Sequence, residues 1–443
     1  MDVLIIGGIA AGMSTAMKAR RENVDANITV IEKEDYVSFG ACGLSYYLGN
    51  QFEDENELFA RTPQQIKDAG VHLLTRHEVI AVDLNLKTAT IKNLETDEHF
   101  TKSYDKIMIA TGAKAVISDL EGVDADNVYT ITRLKDVKKM KERLNQYENI
   151  VIIGGGFIGI ETAEQLAQLN KKVHIVLSSG ELMRRIYDVE VTDKLKETLE
   201  DMGVQVNLNT NAKQLVVKDN NVVEVITDQQ SIKADAVVIA IGFIPVTDLF
   251  KGQLEMLENG AIITDAYGQT SIEGVFSAGD CASVKHKFTG DKWIPQATYA
   301  NKMGRLIGTN IVKDKKDWIA FGGALGSSLI KIGEMDAGIT GVNEKEALSL
   351  NMNIATTTVY TNNHSNYIPN QEKIMIKLVY DKETFVLYGA QVFGKEAGLR
   401  LHALTVAVSA GVTTKELGFM DFAYAPPYNS TWEAINVAAN TAK

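Results

Sequence analysis

The sequence has few cysteines and few prolines, and it has no long apolar run. Two cysteines among 443 residues, Cys42 and Cys281, exclude a disulfide-stapled scaffold, and their positions suggest no metal site. Six prolines argue against long proline-rich linkers. Because no apolar run approaches ~18 residues, no transmembrane helix is expected. The opening MDVLIIGG has no basic segment before its apolar residues, so no signal peptide is expected either.

Basic residues are also in deficit. Lys and Arg number 45 against 57 Asp and Glu, which gives a net charge of −12. This acidic balance argues against a nucleic-acid partner, because such partners are usually bound by a basic face. We expect a cytoplasmic protein that binds neither nucleic acid nor membrane. At ~150 residues per domain, the length predicts about three domains.

Among the features that are present, an internal repeat of one βαβ unit stands out. The first copy consists of a strand (Val3–Ile6), Gly7-Gly8, a helix from Ala10 to about Arg21, a strand (Ile28–Ile31) and Glu32. The second copy consists of a strand (Ile150–Ile153), Gly154-Gly155-Gly156, a helix from Ile158 to about Asn170 and a strand (Val173–Leu177). This repeat of a whole unit predicts two domains of the same fold.

The first glycine turn suits a dinucleotide phosphate. Gly7, Gly8 and Gly12 let the backbone approach a pyrophosphate without a Cβ clash, and the helix N-terminus favours the negative charge. Glu32 can accept hydrogen bonds from a ribose diol. Ile9 stands where the G-x-G-x-x-G motif has its middle glycine. A simple strand–helix corner is the alternative for a turn of this kind.

The second glycine turn is complete, with Gly154, Gly156 and Gly159 in register. No acidic residue follows its second strand, where Leu177-Ser178-Ser179 stands. An acid there would repel the 2′-phosphate of NADPH, but no arginine stands there to attract it, so NADH and NADPH are both left as hydride donors. Two dinucleotide folds predict two dinucleotides, and a flavin with a nicotinamide is the commonest pair.

The chain changes character at about residue 325. Strands such as Met375–Val379 and Phe385–Phe393 alternate there with helical stretches such as Ala397–Ser409, and no glycine-rich phosphate turn occurs. This pattern predicts a third domain of the α+β class.

Cys42 lies in the segment SFGACG (38–43), about ten residues after the first βαβ unit. A helix starting in Leu44–Leu48 would lower the pKa of this thiol and make it a nucleophile, whereas a small buried side chain is the alternative. With no second cysteine nearby, a reactive Cys42 would cycle alone, through a mixed disulfide, a persulfide or a sulfenic acid. We expect Cys281, at a predicted helix start, to be structural.

Six motifs in this order resemble those of one family. They are GGIAAG (7–12), Glu32, SFGACG (38–43), ATGA (110–113), GGGFIGIE (154–161) and SAGD (277–280). Over essentially its whole length the chain is similar to the flavin-dependent pyridine nucleotide-disulfide oxidoreductases. Its single cysteine within S-F-x-x-C resembles the single-cysteine branch, which contains coenzyme A-disulfide reductases, NADH oxidases, NADH peroxidases and persulfide reductases.

Two further features bear on the choice within this branch. Peroxidases and water-forming oxidases carry a histidine where Ala10 stands, which argues against those activities. The segments HSNY (364–367) and YAPPY (424–428) resemble the coenzyme A-disulfide reductase pattern, in which two tyrosines of the partner subunit reach the substrate. The resemblance assigns this role to Tyr367 and Tyr424, with a structural role at a domain interface as the alternative. Ser45 stands where the family often has proline.

The resemblance implies an α/β fold with two Rossmann-like dinucleotide-binding domains and a C-terminal α+β dimerisation domain. The FAD-binding domain is expected at residues 1–118 and 245–322, and the NAD(P)-binding domain at 119–244. The dimerisation domain is expected at 323–443, and the protein is expected to be a homodimer.

The resemblance also implies the residues of each site. Asp280 is expected at the ribityl or phosphate end of the flavin, and Glu161 near the nicotinamide, with a helix-surface charge as the alternative for Glu161. The expected FAD residues are Gly7, Gly8, Ile9, Ala10, Ala11, Gly12, Glu32, Lys33, Ser38, Ala110, Thr111, Gly112 and Asp280. The expected NAD(P) residues are Gly154, Gly156, Phe157, Ile158, Gly159, Glu161 and Gly242. No metal is expected.

A basic patch closes the first helix. Arg20 and Arg21, together with Lys18, could hold the phosphates of coenzyme A in a protein whose net charge is negative. Simple complementation of the helix dipole is the alternative.

The resulting prediction is an FAD-dependent NAD(P)H:disulfide oxidoreductase. It reduces coenzyme A disulfide, or a persulfide of coenzyme A, through Cys42 as the single redox cysteine. The alternatives are an NADH oxidase that reduces oxygen at the flavin and a flavin-bearing redox sensor. Turnover separates them, since a sensor changes state once per NADH whereas an enzyme consumes many.

Overall fold

The computed structural model describes residues 1–443. The α-helices are α1 Ala10–Glu22, α2 Leu44–Leu48, α3 Pro63–Asp68, α4 Leu134–Arg143, α5 Phe157–Gln168, α6 Val189–Asp201, α7 Ala297–Asn310, α8 Glu344–Ser349, α9 Ala397–Ala410, α10 Thr414–Leu417 and α11 Ala434–Asn440. No helix combines the length and the apolar character needed to cross a membrane.

The strands form seven sheets. They are β1 Asp2–Ile6, β2 Asn27–Ile31, β3 His72–Leu74, β4 His77–Asp83, β5 Thr88–Asn93, β6 His99–Ser103, β7 Lys106–Ile109, β8 Ala113–Ala115, β9 Val128–Tyr129, β10 Asn149–Ile153, β11 Lys172–Val176, β12 Gln205–Asn207, β13 Ala212–Lys218, β14 Asn221–Thr227, β15 Ser231–Lys233, β16 Ala236–Ile239, β17 Phe243–Pro245, β18 Val275–Ser277, β19 Val284–His286, β20 Gly290–Lys292, β21 Ser328–Ile332, β22 Met335–Gly341, β23 Ile354–Asn362, β24 Lys373–Asp381 and β25 Leu387–Lys395.

The chain forms two compact units, which are described separately. Unit 1 comprises Met1–Leu44, Phe52–Ala115 and Phe243–Ala324, and unit 2 comprises Ser45–Gln51, Val116–Gly242 and Leu325–Lys443. The short segment Ser45–Gln51 thus groups with unit 2, although it falls within the range expected for the FAD-binding domain. The boundaries between the three expected domains stay predictions.

A parallel five-stranded sheet in the order β18-β7-β1-β2-β3 is the centre of unit 1. Its strands are apolar on both faces, and Leu4 and Ile5 are completely buried, as expected where both faces of a parallel sheet are covered. Helix α1 packs so closely on α7 that a Cβ on Gly304 would overlap the backbone of Ala11. This packing fixes the start of α1 at the end of β1.

Besides the three-stranded antiparallel sheet β13-β14-β15, unit 2 contains a second parallel sheet and a five-stranded antiparallel one. The parallel sheet has the order β12-β11-β10-β16-β9, and α5 connects β10 to β11 as α1 connects β1 to β2. The antiparallel sheet has the order β21-β22-β25-β24-β23, and α9 packs on β22 and β25. Lys377 of β24 is only 2% exposed. It links the C-terminal part of unit 2 to the start of α6 by ion pairs with Asp188, Glu190 and Glu344.

The predicted fold class is confirmed, since two parallel α/β sheets precede a C-terminal α+β part. Two local expectations are wrong. The chain at Cys281 forms a turn rather than a helix start, because Gly279 has a φ of +84° and its carbonyl accepts the N–H of Ala282. The strand expected at Phe385 begins only at Leu387, because Phe385 has a φ of +63° in the preceding turn.

Candidate active site and nucleotide sites

The FAD residues expected from the sequence lie at one edge of the sheet of unit 1. Gly7 follows β1, Glu32 follows β2, Ala110-Thr111-Gly112 follows β7, and Asp280 lies three residues after β18. Since these strands are parallel, their carboxyl ends meet at the same edge. Strand β1 lies between β2 and β7, so the chain continues to one side of β1 while β7 pairs with β1 on the other side. Parallel sheets bind their ligands at the carboxyl edge where the strand order switches in this way.

The first glycine turn leaves a bare helix N-terminus. Gly7 has a φ of +102°, and a Cβ on Gly12 would overlap the carbonyl oxygen of Gly7, so only glycine permits this approach. Ile9 is the N-cap of α1 and provides no side-chain hydrogen bond, and the first turn, which begins with Ala10 and Ala11, has no acidic residue. The free N–H groups and the helix dipole therefore suit a pyrophosphate.

The buried carboxyl group of Glu32 and the half-buried one of Asp280 line this edge. Glu32 is 5% exposed, and its carboxylate accepts hydrogen bonds from the N–H of Gly8 (2.6 Å) and the N–H of Glu34 (2.8 Å). The next residue, Lys33, is exposed. Burial raises the pKa of Glu32 in spite of these hydrogen bonds, and burial also raises the pKa of Asp280. A carboxylate shielded from solvent is stabilised by hydroxyl groups that donate hydrogen bonds to it. Both groups therefore fit the ribose and the ribityl chain of a flavin dinucleotide.

The Cys42 loop is anchored to this turn. Ser38, with a φ of +54°, donates its N–H to Gly8 at 3.0 Å, and Gly40 donates to the carbonyl of Leu58 at 2.7 Å. The rings of Tyr36, Phe39 and Phe59 pack together with centroids 5.1–5.5 Å apart. The exposed Cys42 lies in the 3-10 turn Ala41–Gly43, directly before α2, so the helix expected after it is present.

Cys281 has a different environment. It is completely buried, and its sulfur lies 3.6 Å from the hydroxyl of Ser277 and 3.5 Å from the carbonyl of Ala278. Burial raises the pKa of the Cys281 thiol, which keeps it protonated. The expected structural role for Cys281 agrees with this burial.

The second glycine turn repeats the first in unit 2. Gly154 has a φ of +120°, and a Cβ on Gly159 would overlap the carbonyl oxygen of Gly154. Gly156, the N-cap of α5, has open space around it, and the first turn with Phe157 and Ile158 carries no acid. The expected Gly242 follows β16 at the same edge of the sheet, with a φ of +122° and open space around it. These features fit the second dinucleotide.

Glu161 is the titratable group closest in sequence to this turn. Burial raises the pKa of Glu161 to about 7, helped by the nearby carboxylate of Glu164 and opposed by a hydrogen bond with Tyr46. Tyr46 is not among the residues that the sequence indicates, although Ser45 beside it marks the departure from the family pattern. The Ser45 and Thr162 hydroxyls lie 3.2 Å apart, which holds α2 against α5.

We expect Glu161→Gln to flatten the pH dependence of stability. The pKa of Glu161 is raised above its unfolded value, so its stabilising contribution is complete at low pH and is lost as pH rises towards 7. The wild type should therefore lose up to about 3 kcal/mol between pH 4.5 and 8 from this group, and the variant should not. Melting temperatures across this range, with Glu142→Gln at an exposed position as control, measure the difference; equal pH slopes would contradict the assignment.

Tyr367 and Tyr424 come together in the C-terminal part of unit 2. Their hydroxyl oxygens lie 3.1 Å apart, and the side chains are 67% and 44% exposed. The hydrogen bond between them lowers the pKa of Tyr424 and raises that of Tyr367. Two linked and exposed phenols can present a proton to a molecule that docks on this surface.

A network that the sequence did not indicate holds the loops of these tyrosines. Arg400 of α9 donates to the carbonyl of Asn363 (2.7 Å), to the carbonyl of Tyr428 (3.0 Å) and to the carboxylate of Glu433 (2.5 Å). The hydroxyl of Ser365 also donates to the carbonyl of Asn429 at 3.1 Å. No local pattern could have shown Arg400, since its partners are distant in sequence.

The expected substrate patch lies at the other end of α1 from the glycine turn. Arg20 donates to the backbone carbonyls of Val24 and Ala26, Lys18 pairs with Glu22, and Arg21 is exposed. Residues 10 to 21 of a helix span roughly 16 Å, so the structure does not bring this patch to the turn. Its role in binding coenzyme A stays a prediction.

Comparison with known proteins agrees with this arrangement. The family model described as pyridine nucleotide-disulphide oxidoreductase matches residues 1–304, and the one described as its dimerisation domain matches residues 328–435. An NADH oxidase of Enterococcus faecalis is 32% identical, and the match spans 100% of this chain and 99% of the oxidase.

Two proteins named for sulfur or persulfide chemistry are also similar over the whole chain. An NAD(P)H sulfur oxidoreductase (CoA-dependent) of Pyrococcus furiosus is 36% identical, and the match spans 100% of this chain and 99% of the Pyrococcus protein. The solved structure of an NAD-dependent persulfide reductase from A. fulgidus has a TM-score of 0.95 at 32% identity. The match spans 100% of this chain and 83% of the reductase chain.

Proposed function

Because the chain belongs to the pyridine nucleotide-disulphide oxidoreductase family and is a flavoprotein that takes its electrons from NAD(P)H, we propose that its acceptor is coenzyme A disulfide or a persulfide of coenzyme A. The observation that carries this proposal is an exposed Cys42 on a loop tied to the first glycine turn. The similarity to a CoA-dependent sulfur oxidoreductase supports it.

The residues of this chain divide the work between two nucleotide sites. The turn of Gly7 to Gly12, with Glu32 and Asp280, would hold FAD, and the turn of Gly154 to Gly159 would hold NADH or NADPH. When bound, FAD would supply the two-electron redox chemistry that links the nicotinamide to a sulfur acceptor. The exposed Cys42 is the residue of this chain that meets that acceptor.

The chemistry of Cys42 is thiol–disulfide exchange. Its thiolate attacks one sulfur of the substrate disulfide, which forms a mixed disulfide with Cys42 and releases one coenzyme A thiolate. Two electrons then cleave the mixed disulfide, restore the Cys42 thiolate and release the second coenzyme A thiolate. Each departing thiolate takes up a proton, and Tyr367 and Tyr424 of the partner subunit are proposed as the donors.

The proposal includes a homodimer built on the C-terminal part. Helix α9 exposes two large apolar side chains on the side that faces away from its sheet, with Leu399 75% and Val406 68% exposed. The family's dimerisation domain covers this helix. A second copy of the chain would cover these side chains and bring Tyr367 and Tyr424 to the partner's substrate.

We expect the double substitution Tyr367→Phe and Tyr424→Phe to slow coenzyme A disulfide reduction by about 100-fold, because a positioned proton donor contributes roughly that factor. The reduction of bound flavin by NAD(P)H should keep its rate in stopped-flow measurements. Tyr428→Phe, on the same loop and exposed, is the matched control and should turn over normally. Unchanged turnover in the double variant would return both tyrosines to an interface role.

Anaerobic consumption of NADH and NADPH by the FAD-loaded protein, with coenzyme A disulfide or persulfide added, tests the acceptor. Sustained consumption is expected. Consumption that stops after one flavin equivalent contradicts the proposal.

An NADH oxidase is the second candidate, favoured by the full-length similarity to the Enterococcus faecalis enzyme. It predicts little anaerobic turnover and rapid NADH consumption in oxygenated buffer. Ala10, at the start of α1, argues against a water-forming oxidase, because such oxidases are expected to carry a histidine there.

A further inference from the structure

The two loops that carry the exposed tyrosines have buried polar residues beneath them. Tyr367 lies in the loop between β23 and β24, and Tyr424 lies in the loop between α10 and α11. Ser365 of the first loop and Asn429 of the second are each only 7% exposed. Because a buried polar side chain needs hydrogen-bond partners, the partners of these two residues show how the loops are held.

The side chain of Asn429 bonds the peptide groups on both sides of Tyr424. Its Nδ2 donates to the carbonyl of Ala423 at 2.9 Å, and this carbonyl belongs to the peptide bond before Tyr424. Its Oδ1 accepts the N–H of Ala425 at 3.2 Å, and this N–H belongs to the peptide bond after Tyr424. One buried amide therefore restricts the backbone from which the phenol of Tyr424 projects.

The backbone of Asn429 ties this loop to the loop of Tyr367. Its carbonyl accepts the hydroxyl of Ser365 at 3.1 Å, and the N–H of Ser365 donates to the carbonyl of Pro426 at 3.2 Å. The carbonyl of Ser365 accepts the N–H of Ile368 at 3.1 Å, which closes a turn around Tyr367. The contacts that place the two phenols 3.1 Å apart therefore meet at Asn429.

We propose that Asn429 is a positioning residue for the reduction of the coenzyme A substrate, an inference that rests on the proposed function. Asn429 acts through the two peptide bonds of Tyr424 and keeps its hydroxyl beside that of Tyr367. A proton donor that is misplaced by about 1 Å can cost a reaction up to ~100-fold in rate. The hydrogen bond between the phenols also lowers the pKa of Tyr424, so the arrangement that Asn429 holds makes Tyr424 the better acid.

Steady-state kinetics of Asn429→Ala in the FAD-loaded protein test this role. We expect kcat for coenzyme A disulfide reduction to fall about 10-fold and KM to stay within about twofold, because the substrate still docks while its proton donor is displaced. Reduction of bound flavin by NAD(P)H should keep its rate. The matched control is Asn436→Ala, which should keep kcat. Asn436 is 5% exposed and donates to the carbonyls of Leu417 and Met420, and it bonds neither peptide group of Tyr424.

A double-mutant cycle with Tyr424→Phe separates positioning from general support of the fold. Because Asn429 acts through Tyr424, Asn429→Ala should lower kcat by less than about twofold once the phenol is absent. Asn429→Asp keeps the size of the side chain but cannot donate to Ala423, so it should lose a similar factor to Asn429→Ala and serves as a second variant. An unchanged kcat in both single variants, or a full 10-fold loss in the Tyr424→Phe background, would overturn the proposal.

A titration of the phenols tests the proposal without turnover. The ultraviolet absorbance of ionised tyrosine, taken as the difference between each protein and its Tyr424→Phe counterpart, reports the ionisation of Tyr424. Asn429→Ala should raise the pKa of Tyr424 towards that of an ordinary phenol, and Asn436→Ala should leave it unchanged. An unchanged pKa in Asn429→Ala would overturn the inference. A raised pKa in a protein that does not reduce coenzyme A disulfide would support the positioning and contradict the proposed acceptor alone.

Discussion

Cys42→Ser should lower anaerobic reduction of coenzyme A disulfide by more than about 1,000-fold, as expected when the nucleophile of a covalent mechanism is removed. A serine hydroxyl is not ionised at neutral pH and does not exchange with disulfides. The loop itself should persist, because its anchors are the backbone of Ser38 and Gly40 and the ring cluster, not the thiol. Steady-state assays with FAD content measured in parallel test this expectation.

Cys281→Ser is the matched control for that variant. Cys281 is completely buried, and its neighbours include a hydroxyl and carbonyl groups that can pair with a serine. The control should keep both FAD and disulfide turnover. A Cys42→Ser protein that reduces coenzyme A disulfide within tenfold of the wild-type rate would rule out the thiol mechanism.

Gly12→Val should yield a protein without FAD and should abolish every NAD(P)H-dependent activity. A Cβ on Gly12 already overlaps the carbonyl oxygen of Gly7, so the larger side chain must push α1 away from the glycine turn. The displaced helix N-terminus could no longer meet the pyrophosphate. Absorbance of the purified protein in the flavin bands measures the loss, which we expect to exceed about 100-fold in FAD affinity, since several hydrogen bonds to the phosphates are lost together.

The control for this substitution is Gly322→Ala, in the same unit. Gly322 has open space where a Cβ would stand and no positive φ, so this variant should purify yellow. Stoichiometric FAD in Gly12→Val would contradict the placement of the flavin at this turn.

The two nucleotide turns were predictable because their chemistry is local. Gly7, Gly12, Gly154 and Gly159 serve a close backbone approach that no other residue allows, and the sequence displays that requirement directly. The strands around them differ from the predicted bounds by only one or two residues. The alternation of parallel strands and helices followed from the same local patterns, which is why the fold class was correct.

The partners of the site residues were not predictable, because they come from distant parts of the chain. Tyr46 reaches Glu161 only after α2 has packed in unit 2. The turn at Cys281 was missed for a related reason. Helix propensity after Gly279-Asp280 is overridden by the left-handed conformation of Gly279 and by the neighbouring strands.

Mass spectrometry of the FAD-loaded protein after incubation with coenzyme A disulfide, without NAD(P)H, tests the central claim that Cys42 carries the sulfur chemistry. We expect reduced enzyme to gain one coenzyme A per chain, attached to the peptide that contains Cys42, and to lose it when NADPH or NADH is added under anaerobic conditions. A protein that gains no adduct, or carries it on Cys281 alone, would contradict the account and leave oxygen at the flavin as the acceptor to pursue.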